Sequence, residues 1–132
     1  MMVYRVYVPL PRPICTRLPS ELEGPLERRF FELDWTPSRG MREIAREWLA
    51  VQRYPRLEFR DTPAGRRAAL REGPEIWEIA AAAGPSRAMS AALGQRFAWV
   101  QADALDEALG YAREHRDEID RVIAREERLA GG

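Results

Sequence analysis

One histidine, His115, and one cysteine, Cys15, stand 100 positions apart in this chain of 132 residues. Nucleophilic or acid–base catalysis needs a nucleophile, a base and an orienting group within hydrogen-bond reach of one another. No serine-centred nucleophile motif, GxGxxG pattern or phosphate loop accompanies the two residues. The sequence therefore predicts no enzyme and no cofactor. A lone cysteine also excludes an internal disulfide and a multi-cysteine metal site. Asp117 and Asp120 are three apart and could touch a metal, but a single pair of carboxylates predicts no metal site. His115, near a helix end, reads as a partner for the C-terminal helix dipole. What remains is recognition by arginine: there is no lysine, so all 21 strong bases are guanidinium groups. A guanidinium can bond bidentately to phosphate, carboxylate or the edge of guanine.

The charge is unevenly placed. Residues 1–71 hold 14 arginines against 9 acids, and residues 72–132 hold 7 against 12. Such a split can mark one face for an anion, or it can draw the two halves together. At this length one domain or two very small ones are expected, with association into a homodimer or higher homo-oligomer. No apolar run approaches the roughly 18 residues of a membrane span, and no signal-peptide core opens the chain, so a soluble cytoplasmic protein is expected.

The elements follow from periodicity. Val3 to Val8 alternates like a strand, and Pro9, Pro11 and Pro13 interrupt it. Ile14 to Leu18 forms a short extended piece. Ser20 and Glu23 have capping-box spacing, and Pro25 suggests a helix beginning there; Leu26, Phe30 and Leu33 share a face. Thr36 caps the next helix, with Met41, Ile44, Ala45, Trp48 and Leu49 as its apolar stripe, ending before Pro55. Leu57–Phe59 and Arg67–Leu70 read as short strands around Gly65. Helices are expected over 74–83, 86–93, 99–115 and 117–129. Trp77 is expected in the core, and Phe97 and Trp99 as core or interface anchors.

The stretch RDTPAGRRAALREGPEIWEI, residues 60–79, resembles the signature of a bacterial family catalogued as domain of unknown function 433. Gly65–Arg66–Arg67–Ala68, Gly73–Pro74 and Ile76–Trp77–Glu78–Ile79 match its turn, glycine step and helix box. ALGYAREHRDEID from Ala108 to Asp120 matches its ending. The resemblance covers the rear half of the chain. It implies a small helix-turn-helix module, in some cases the antitoxin half of a VapBC-type toxin–antitoxin pair. The helix expected over 99–115 would read DNA in such a module. It carries Asp103, Asp106, Glu107 and Glu114 against Arg113, and those acids would repel phosphate. Arg66 and Arg67 could touch phosphate or pair with the acidic half.

CTRLPSEL followed by WTPSRGMREIAREWL resembles the ribbon-helix-helix repressors. There, two chains pair strands into a ribbon that enters the major groove, and their helices interlock. Strand alternation points Cys15 and Arg17 one way and Ile14, Thr16 and Leu18 the other. The resemblance makes Arg17 and Cys15 DNA-facing, and places Thr36, Ser38 and Arg39 at a helix start that can meet a phosphate. Pro13, Thr16 and Gly24–Pro25 depart from the pattern.

The expected fold is α+β, mainly helical with short strands. A ribbon-helix-helix-like region over 1–55 precedes a helix-turn-helix-like module over 56–132. The expected function is that of an antitoxin-like transcriptional regulator. It would bind operator DNA and neutralise a PIN-type nuclease toxin through Asp117, Glu118, Ile119, Val122 and Ile123. The alternative is an interaction or oligomerisation module with no DNA role.

Overall fold

The structure is a computed structural model that describes residues 5–9 and 13–131. Its described elements run α1 (Ser20–Glu32), α2 (Pro37–Arg53), β1 (Leu57–Thr62), β2 (Gly65–Leu70), α3 (Ile76–Ala83), α4 (Ala91–Arg96), α5 (Ala102–Glu114) and α6 (Arg116–Gly131). The fold is α+β and mainly helical, with the two strands before a helical module. The chain divides into two compact units, residues 1–41 and 42–132. That division falls inside α2.

In the first unit, residues 5–9 and 13–19 form no strand. Residues 1–4 and 10–12 of the expected ribbon-helix-helix-like region lie outside the described residues. Helix α1 starts at Ser20 with Pro19 as its cap, and the N–H groups of Leu22 and Glu23 reach the Pro19 carbonyl at 3.0 and 3.1 Å. The Ser20–Glu23 capping box is therefore not made: Ser20 is already inside the helix, and a main-chain carbonyl does the capping. Pro25 lies within α1 rather than opening it. The position is exposed, so the hydrogen bond proline cannot donate is lost where water can replace it.

Among the described residues of this unit, only Phe30 and Gly40 are buried. The two facts are one: a Cβ at Gly40 would overlap the Phe30 ring. Trp35 leans on the same ring, with centroids 6.4 Å apart. Against this small core, Val6, Tyr7, Val8, Ile14 and Phe31 are 68–101% exposed.

The second unit has a conventional core. Strands β1 and β2 pair antiparallel from Leu57↔Leu70 to Thr62↔Gly65, around a tight turn where Gly65 takes a φ of 112°. Helix α3 is apolar almost all round (IWEIAAAA) and lies between β2, α4, α5 and α6. Ile76, Ile79 and Ala80 are fully buried, with Leu57, Leu70, Leu105, Leu109 and Ile119 around them.

The helix expected from Ser86 begins instead at Ala91. Ser90 is its cap, accepting a hydrogen bond from the Leu93 N–H at 3.1 Å. Arg87 explains the delay. It adopts a φ of 53°, which no helix tolerates, and turns its guanidinium back onto α3. There it donates to the carbonyls of Ala80 and Gly84, both at 3.0 Å, and pairs with Asp120 of α6. One buried side chain thus closes the C-terminus of α3 and ties it to the last helix. Helix α5 likewise starts later than expected, leaving Trp99 outside it and 72% exposed; Phe97 is buried and Trp77 half-buried.

Candidate functional site

The front-unit residues expected to meet DNA are all exposed. Cys15 and Arg17 lie on the extended segment before α1, and Arg17 has no hydrogen bond or ion pair among the described residues. Thr36, Ser38 and Arg39 open α2. There the Thr36 Oγ1 accepts from the Arg39 N–H at 3.2 Å, so the expected cap is made. The Arg39 guanidinium lies 5.4 Å from the centre of the Trp35 ring. Arg17 also rims a hollow of about 350 Å³ between the extended segment and the two helices, floored by Leu18, Leu26, Phe30 and Met41.

The charge surplus of the front half is not concentrated here. Residues 1–41 hold 6 arginines against 5 acids, so most of the surplus belongs to residues 42–71. There it is consumed within the chain. Arg53 binds Glu114 (Nε to Oε2 2.8 Å), Arg56 binds Glu107 (2.5 Å), and buried Arg67 binds Glu126 (2.6 Å). The uneven charge distribution is thereby an internal clasp between early and late segments of the second unit. Arg66 pairs instead with Glu47 and Asp61, both in the front half.

The acidic tail is an integral part of the core rather than a loose segment. Ile119 is buried, Val122 and Ile123 are half-buried, and Glu118 accepts the Tyr111 hydroxyl at 2.6 Å. Asp117 faces solvent. A partner approaching α6 would meet Asp117 and the outer edges of Glu118 and Val122. Asp120 is paired with Arg87, so the Asp117–Asp120 pair is not free to share a metal, and the described residues hold no cluster of three or more metal-ligating side chains. Helix α5 buries Leu105, Ala108, Leu109 and Ala112 and turns Asp103, Asp106 and Glu114 outward.

The second unit also carries an open groove of about 610 Å³ between α2, the hairpin, α5 and α6. Phe59 and Tyr111 meet edge to face there, and the His115 ring stacks on Tyr111 at 4.2 Å. Burial and the Glu118 carboxylate push the Tyr111 phenol far above its usual range. It therefore holds its proton across the physiological range and serves as a hydrogen-bond donor. The groove presents charges of both signs, and Glu47 with Arg66 and Tyr111 with Glu118 are already mutually satisfied.

One surface went unrecognised as a site in the sequence. Ile44, Trp48 and Leu49, the expected inner stripe of α2, are 40%, 62% and 62% exposed. The side of α2 that faces the second unit instead carries Glu47 and Ala50. Periodicity identified the stripe correctly but contains no information on what covers it.

No family model, curated protein or solved structure matches this chain.

Proposed function

We propose that this protein is a self-associating, antitoxin-like DNA-binding regulator whose first unit is completed by a second copy of the chain. The observation that carries the reading is the poverty of that unit's own core. Among the described residues of that unit, one buried phenylalanine cannot offset the chain entropy of residues 13–41, each costing roughly 1–2 kcal/mol. Meanwhile Val6, Tyr7, Val8, Ile14 and Phe31 are left in water, and the extended segments have no strand partner among the described residues. Pairing these segments between two copies would satisfy the main chain and bury those side chains together. Arg17 on the paired segment and the Thr36–Arg39 helix start would then repeat about a two-fold axis, as a palindromic operator requires.

A second reading, interaction without DNA, is favoured by the near-neutral charge of residues 1–41 and the outward acids of α5. Sedimentation and salt-dependent binding to the protein's own upstream DNA separate the two. The regulator reading expects a dimer that Ile14→Glu or Phe31→Glu dissociates. It also expects DNA affinity that falls with added salt and is lost in Arg17→Ala. A dimer with no DNA shift leaves the interaction reading. A monomer that resists both substitutions overturns self-association.

A further inference from the structure

The outward side of α2 between residues 42 and 52 lies wholly in the second unit. It carries Ile44, Ala45, Trp48 and Leu49, all exposed, at helical spacing that makes one continuous stripe. We infer that this stripe is a docking surface for an amphipathic helix of a different protein, one whose apolar face is bordered by carboxylates.

Three observations lead there. First, α2 cannot roll to hide the stripe. Ala50 and the following Tyr54 are buried on the opposite side. Glu47 is held in two bonds by Arg66, at 2.5 and 2.7 Å, and Arg66 is braced by Asp61 at 2.8 Å. Arg53 is held by Glu114. Rolling α2 to bury Trp48 against the second unit would break all of these together. Second, the exposed group is the kind that binds: an indole 62% open to water beside an equally open leucine. Tryptophan is enriched at the centres of interfaces, and contiguous apolar surface of this sort marks interaction sites.

Third, the borders choose the partner. One edge of the stripe, alongside Leu49, carries Arg42 and Arg46 one turn apart, followed on the same side by Arg53, eleven positions after Arg42 and held by Glu114. Among the described residues Arg42 has no hydrogen bond or ion pair, and Arg46 is shared with Glu43 at 3.0 Å. An antiparallel copy of α2 would bring this arginine edge against itself. A parallel copy would need the Glu47 edge, which Arg66 already holds. Self-pairing is thus opposed in both directions, whereas an acidic border meets Arg42 directly. The inference goes beyond the self-association proposed for residues 1–41 and does not depend on DNA binding.

The test uses the full chain and two fluorescent synthetic helical peptides with the same leucine stripe, one bordered by glutamates and one by lysines. Anisotropy should show preferential binding of the glutamate peptide. Trp48→Ala should weaken it about thirtyfold, the factor for a hot spot of about 2 kcal/mol. Arg42→Glu should reverse the preference between peptides. Trp48 is exposed, so the variant keeps the fold, and circular dichroism checks this. Three results would overturn the proposal: no binding of either peptide, equal binding insensitive to Trp48→Ala, or a loss of dimer in Trp48→Ala by sedimentation. The last would assign the stripe to a second copy, whereas Ile14→Glu and Phe31→Glu report on the first unit alone.

Discussion

Replacing Gly40 with alanine should destabilise the first unit even though alanine is the better helix former. Gly40 lies in the first turn of α2, and the Phe30 ring occupies the space where a Cβ would be. The ring is 5% exposed and is the one large side chain buried among the described residues of that unit. It must leave, or the two helices must separate. Losing a phenylalanine from its site forfeits about 2–3 kcal/mol of burial, while glycine to alanine in a helix returns about 1. The net cost is about 1–2 kcal/mol, or roughly 4–16 °C for a unit this small. Thermal unfolding followed by near-ultraviolet circular dichroism, which senses Trp35 beside Phe30, measures it. Phe30→Leu in the Gly40→Ala background should recover part of the loss, because a branched aliphatic side chain vacates the space the ring filled. A Gly40→Ala variant as stable as the parent, or a double variant with purely additive losses, would refute the ring-in-notch account.

Arg87→Ala should cost about 3 kcal/mol in urea unfolding, because it strips the Ala80 and Gly84 carbonyls at the end of α3 of a donor and leaves Asp120 unpaired. Arg87→Lys should fail to restore it, since one ammonium cannot reproduce the planar fork. Tyr111 supplies a pH signature. Its phenol is raised above the ordinary value of 10.0 by burial first and by Glu118 second. The folded state therefore binds this proton more tightly than the unfolded chain. The corresponding stability is fully present below pH 10 and declines as the pH rises beyond it. Tyr111→Phe should remove much of that alkaline decline in a denaturation series, leaving a smaller one from Tyr54, whose phenol is also raised; an unchanged slope would count against the burial argument.

Local chemistry was legible at several places where the governing interaction lies within a few residues, though not at the start of α1, where the Pro19 carbonyl takes the place of the Ser20–Glu23 capping box. Thr36 caps α2 as its spacing with Pro37 implied, Gly65 turns the hairpin, and Pro55 follows the end of α2. The misread start of the helix after Ser86 has a distant cause. Nothing near Ser86 signals that Arg87 leaves helical space, because its reason is a carboxylate on α6, 33 positions away. The uneven charge of the two halves was visible in composition, and both uses of it, an anion face or mutual attraction, were physically open. Arg53, Arg56 and Arg67 settle it within the second unit by pairing with Glu114, Glu107 and Glu126.

The sequence by itself determined the inventory: a mainly helical chain with two short strands, a strongly amphipathic α2 and arginine in place of lysine throughout. Those properties depend on residue type and periodicity, which the chain carries wherever it folds. Tertiary structure alone decided direction. Periodicity draws the same stripe on α2 whether it faces a core or water. The bond from Arg66 to Glu47, with Ala50 and Tyr54 buried behind it, turns Trp48 and Leu49 outward. Likewise an Asp–Glu–Ile–Asp run reads as a tail until Ile119 enters the core and Arg87 takes Asp120. Which side of an amphipathic helix is covered is set by contacts between segments far apart in sequence, and those exist only once the chain has folded.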